Sequence, residues 1–174
     1  MSCSTSMTDT SAGNAAMADV LRAEVVESAR RTPRFLKQMA LNALTHSAPL
    51  NWLGGIDADA QGTVDLKLQG AALFVDAARL FALAHGVTAT GTRERFEATG
   101  ARIGLAAHEY EAWTGGFEFL QMLRLRVQLD DKVDAGQPNR ISIASLNDID
   151  RRILRESFRV ARSLQQRLQL DYER

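Results

Sequence analysis

Ala71–His85 reads AALFVDAARLFALAH, and the fold turns on how this stretch is read. Its only residues that are not apolar are Asp76, Arg79 and His85, and it holds neither Gly nor Pro. At about 100° per residue the apolar positions run right round the cylinder, which predicts a helix buried on most sides rather than laid on a surface. Asp76 and Arg79 stand at i and i+3 and so share one face. A carboxylate and a guanidinium this deep in apolar sequence are expected to form a buried pair or to shift their ionisation. Gly86 follows as a C-terminal stop.

Just upstream, Val64, Leu66 and Leu68 alternate with Asp65, Lys67 and Gln69. That is a short strand pattern, expected to pair as a hairpin with Trp52–Ile56 across a run punctuated by Gly54-Gly55, Asp57, Asp59 and Gly62. A lone hairpin is marginal in water, so it has to lie against helices. Further back, Met17, Val20, Leu21 and Val25 mark one side of a first helix from Ala15. Thr32-Pro33 ends it and restarts a second, with Thr32 as N-cap and Pro33 at the first helical position.

Downstream, Thr92 is an expected N-cap for a short helix over 93–98, stopped by Gly100. A long and largely enclosed helix follows over 106–129. Gly115-Gly116 inside it costs about 1 kcal/mol per glycine relative to alanine, which predicts a kink or a close helix contact. Ser145 or Asn147 caps a last helix to Tyr172 that is expected to bury Ile149, Ile153, Val160, Leu164 and Leu168. The sum is an all-α chain: an up-and-down helical bundle with one small β-hairpin or extended excursion near residues 50–69. Residues 1–14 have too little apolar matter to fold and read as a disordered leader, leaving 15–174 as one bundle.

Composition narrows the function. The chain has 174 residues, 21 basic against 21 acidic, and a formal charge of zero, which argues against wholesale binding to nucleic acid or an anionic membrane. A single cysteine, Cys3, excludes an intrachain disulfide or a cysteine-based zinc site and points to a reducing compartment, the cytoplasm. No run approaches the roughly 18 consecutive apolar residues of a membrane span. Gly54-Gly55 nearly abuts Asp57-Ala58-Asp59, too close for a triphosphate turn and a carboxylate pair to face one ligand across a helix. Asp148 and Asp150 diverge by about 200° on a helix and read as acids at its N-terminus. His46, His85 and His108 lack metal-ligand spacing.

Two polar sets remain. Asp65, Lys67, Asp76, Arg79, Arg124 and Gln128 come from the strand and the two most enclosed helices. They form either an internal ion-pair network pinning the strand or the wall of a polar pocket. Arg151, Arg155, Arg159 and Arg162 lie within about 100° of arc on the last helix, with Arg152 beside them. That arc is either a solvated face or a docking strip for phosphate or an acidic surface, since guanidinium forks suit both.

The order of features carries a resemblance. The series runs Asp65-Leu66-Lys67-x-x-Gly70, Asp76-x-x-Arg79-x-x-Ala82-Leu83-x-x-Gly86, Thr92-x-x-Arg95, Leu123-Arg124-Leu125-x-x-Gln128, Gly136-Gln137-Pro138-Asn139 and Leu146-Asn147. It resembles the C-terminal, substrate-binding helical domain of the signal-transduction nucleotidyltransferases that carry a CBS or cyclic-nucleotide-binding module and are related to the PII-protein uridylyltransferases. The likeness spans about 15–172. Asn51 in Pro49-Leu50-Asn51-Trp52 departs from that family's glycine, and Gly115-Gly116 from its better helix formers.

The resemblance implies a non-catalytic bundle that binds substrate or a protein partner and works with a nucleotidyltransferase catalytic domain not found in this sequence. Mg²⁺ and a nucleoside triphosphate belong to that domain, so no cofactor is expected in this chain. A self-associating homodimer module is the alternative, and nucleotidyl transfer by the chain itself a second one.

Overall fold

The computed structural model describes residues 9–129 and 137–172. Helix α1 spans Asp9–Arg30, α2 Pro33–Ala43, α3 Ala72–Ala84, α4 Thr92–Arg102, α5 Ala107–Leu129 and α6 Asp148–Tyr172. The strands β1, Thr63–Asp65, and β2, Arg140–Ser142, pair antiparallel with Val64 opposite Ile141. The chain is therefore all-α with one small two-stranded sheet among the described residues.

α3 sits at the centre, as its sequence requires. Leu73, Phe74, Ala77, Ala78, Leu80, Phe81 and Ala82 are all buried. Each large side chain removed from water contributes about 1.5–3 kcal/mol. Phe81 stacks on Trp113 of α5 at 5.8 Å, and Trp113 in turn meets Phe96 of α4 at 5.3 Å. Gly86, at φ 71°, ends the helix: Val87 N–H donates to Ala82 O at 2.8 Å, the pattern of a left-handed C-terminal cap.

The small β element is present, but its partner is not the expected Trp52–Ile56. Leu50 and Ile56 share a single bridge, and β1 pairs with β2 from far along the chain. The strand is short because the Asp65 carboxylate accepts the N–H groups of Lys67 and Leu68, both at 2.8 Å. It thus caps a π-helical turn, Lys67–Ala71, that runs straight into α3. Gly70 in that turn lies against Leu120, where a Cβ would approach to 3.2 Å.

Several boundaries differ for local reasons. The chain is helical from Asp9, inside the expected leader; Met1–Thr8 and Cys3 lie outside the described residues. Thr32 spends its hydroxyl on Ser28 O rather than on a cap, although Pro33 does open α2. Gly91, not Thr92, is the N-cap of α4, with the Glu94 carboxylate folded back over it. That helix passes through Gly100, which is packed against the Tyr110 ring, and ends before Gly104 at φ 70°.

α5 is less enclosed than expected, since Met122, Leu125 and Leu129 are exposed. Its glycine pair is a close contact: Gly116 meets Phe74 and the α6 backbone, while Gly115 faces open space. α6 buries Leu154, Ser157, Phe158, Ala161, Leu164 and Leu168, whereas Ile149 is 72% exposed and Ile153 is also exposed. Small Ser157 and Ala161 beside Phe158 let α6 close on α5, so the buried stripe is rotated from the one the isoleucines suggested. Asn147, not Ser145, caps α6, accepting Asp150 N–H at 2.8 Å.

Candidate functional site: an arginine-rimmed cleft

The first polar set does not converge on one place. Asp65 is occupied as the turn cap, and Lys67 is exposed. Arg124 Nε and Gln128 Nε2 both donate to Asn139 Oδ1, at 3.1 and 3.2 Å, and Arg124 Nη1 donates to Gln121 Oε1 at 2.6 Å. Asn139 O accepts Leu66 N–H at 2.9 Å. This hub ties α5 to the end of β1 through hydrogen bonds to neutral amides rather than through ion pairs. Gly136 of the same motif lies outside the described residues.

Asp76 and Arg79 are elsewhere, and they are not buried. They meet at 3.3 Å with side chains 42% and 49% exposed. The reason is geometric: at i and i+3 they occupy the one seam of α3 that the other helices leave open. Such a pair contributes about 0.2–1 kcal/mol.

Nor do the α6 arginines form an open strip. Arg162 donates to Leu50 O and Asn51 O, and Gln165 holds His46 O and Ala48 N–H. Arg151 donates to Leu146 O and reaches Asp148; Arg159 pairs with Glu156 beside Gly54. Arg155 is half-buried. Arg162 and Gln165 hold the 46–51 stretch down on α6.

The Asn51 side chain accepts Leu53 N–H and Gly55 N–H, closing the turn on itself. Asp59 accepts from the Thr63 hydroxyl, Thr63 N–H, Gln61 N–H and Arg140. The Thr63 hydroxyl is the largest cause of a carboxyl held below its usual range. Both Asp59 oxygens are engaged, so the Gly54-Gly55 and Asp57–Asp59 run does not fit a metal-triphosphate cradle. Among the described residues no group of three His, Cys, Asp or Glu is placed to hold a metal ion.

A cleft of about 420 Å³ opens between α1, α3 and the 87–89 segment leading to α4. Leu21, Val25, Leu83 and Val87 give it an apolar floor, and Arg22, Arg79 and Arg95 stand around it. Arg95 Nε donates to Ala89 O at 2.9 Å, which fixes the plane of its fork. Burial first, then the nearby positive charge of Arg79, pulls the Arg95 guanidinium below its ordinary value, with the Glu94 carboxylate acting in the opposite direction. Among the described residues no carboxylate lies within ion-pair range of Arg95, whereas Arg22 pairs with Asp19 and Arg79 with Asp76. Arg22 and Arg95 were not among the candidates drawn from the sequence. The signal for Arg95 was its place in Thr92-x-x-Arg95; for Arg22, on an amphipathic helix, there was none.

No described helix is long and apolar enough to cross a bilayer. The chain belongs to the family described as "Putative nucleotidyltransferase substrate binding domain", whose model matches residues 33–172. That is the family its ordered motifs resembled. The match begins just after α1, so one wall of the cleft lies outside the matched span. No curated protein and no solved structure matches the chain.

Proposed function

We propose that this chain binds the acceptor substrate, or the protein that carries it, for a nucleotidyl transfer, and does not itself catalyse the transfer. Catalysis falls to a nucleotidyltransferase catalytic domain related to the PII-protein uridylyltransferases, which supplies the Mg²⁺ and nucleoside triphosphate. The setting is a cytoplasmic signalling system. Family membership supports the substrate-binding role. The observation that supports this reading is that Arg79 and Arg95, from two separate motifs of the series, both line one apolar-floored cleft.

Size-exclusion chromatography and calorimetry with a nucleotidyltransferase catalytic domain from the same genome test this reading. A one-to-one complex supports it. Absence of a complex at high micromolar concentration, or Mg²⁺-dependent nucleotidyl transfer by the purified chain alone, overturns it.

One observation favours self-association as a second reading: Met17 (74% exposed), Val20, Leu21 and Val25 form an uncovered apolar row on α1. Light scattering of the chain and of Val20→Glu decides it; a monomer in both removes the dimer.

A further inference from the structure

We infer that the α1/α3 cleft binds an organic phosphate monoester, its phosphate spanning Arg79 and Arg95 and its apolar or flat body lying on Leu21, Val25, Leu83 and Val87. The inference rests on the substrate-binding reading above and names the chemistry of the ligand.

Three features converge on it. Arg95 commits only Nε, to Ala89 O, and its two Nη groups make no hydrogen bond among the described residues. A half-buried guanidinium with a free fork is a bidentate site for an oxyanion. Arg79 stands close enough to disfavour the charge on Arg95, an arrangement relieved by an anion between them. Arg22, paired with Asp19, stands beside them, and Arg79 can turn its outer nitrogens from Asp76 toward a shared anion, so a phosphate monoester with oxygens to spare for both forks suits the cleft better than a carboxylate.

The floor argues against a bare ion. Leu21 and Val25 are more than half exposed beside the buried Val26, so the cleft presents an apolar surface on which a flat or apolar body can lie. Its volume of about 420 Å³ lies within the range of about 300–1,000 Å³ typical of small-molecule sites. Inorganic phosphate would leave most of it empty.

Calorimetric titration with phenyl phosphate, inorganic phosphate, benzoate and phenol tests the assignment on the whole chain. Phenyl phosphate is expected to bind, with the other three at least about tenfold weaker. Arg95→Met is expected to weaken phenyl phosphate by about tenfold or more while leaving the thermal unfolding midpoint in place. Arg79→Met, on the exposed seam of α3, provides the same test should Arg95→Met fold poorly. No binding of phenyl phosphate at millimolar concentration, equal binding of benzoate, or affinity unchanged in both variants would each overturn the assignment. The complex with the catalytic domain is measured separately. Its survival alongside a silent phenyl phosphate titration removes the ligand and leaves the substrate-binding reading standing.

Discussion

Gly116 of α5 lies against Phe74 of α3 so closely that a Cβ on it would sit 3.0 Å from Phe74 Cζ. Its neighbour Gly115 has nothing within 4 Å of the same position. Phe74 is fully buried and cannot retreat. Alanine at Gly115 therefore gains helix propensity alone, about 1 kcal/mol of stability. At Gly116 the same gain is opposed by overpacking. The two variants are expected to differ by about 1–3 kcal/mol in urea denaturation, with Gly115→Ala the more stable.

The half-exposed Asp76–Arg79 pair sets the cost of losing it. Had the pair been buried, as the apolar surroundings of α3 suggested, Arg79→Ala would cost about 3–5 kcal/mol. At the observed exposure the expected loss is below about 1 kcal/mol, read from the same denaturation curves. A larger loss would mean that Arg79 supports the core rather than the cleft.

Asn139 has one oxygen serving two donors, Arg124 and Gln128. Asn139→Leu leaves both without that acceptor and, since water reaches the exposed Gln128, is expected to cost about 0.5–1.5 kcal/mol. Asn139→Asp keeps an oxygen toward the Arg124 guanidinium and should retain most of the stability. Equal loss in both variants would show that the hub acts through shape rather than through hydrogen bonding.

Burial pushes the Tyr172 hydroxyl up to about 12, where its ring packs 6.4 Å from Phe81. The neutral phenol is thus favoured in the folded chain. Its contribution is fully present below the unfolded value near 10 and is lost as the pH rises from 10 through 12. Denaturation midpoints of the wild type should fall across that window more steeply than those of Tyr172→Phe. Parallel curves would place the hydroxyl in water.

The helical architecture was legible because apolar periodicity is a property of each segment alone. α3 shows it best: its uninterrupted apolar run does mark the centre of the bundle. Tertiary pairing was not legible in the same way. Val64, Leu66 and Leu68 alternate as a strand, yet Asp65 turns the chain into a helix after one short rung, and β1's partner lies beyond α5. The α6 stripe was misplaced because Ile149 and Ile153 are more apolar by type than Ser157 and Ala161. Packing against Gly116 selects small Ser157 at that contact.

The site followed the same rule. Arg79 and Arg95 were each visible in the ordered motifs, but only the folding of α4 back on α3 brings them to one cleft. Arg162 looked available by its position on the helix wheel, and it proves to be spent on the carbonyls of Leu50 and Asn51.

Backbone amide NMR during a phenyl phosphate titration separates the two places where guanidiniums gather. If the cleft is the binding site, the shifted resonances fall within residues 18–26, 79–89 and 95. Shifts centred instead on residues 49–56 and 151–162, or no shifts at all, would contradict the assignment of the site to Arg79 and Arg95.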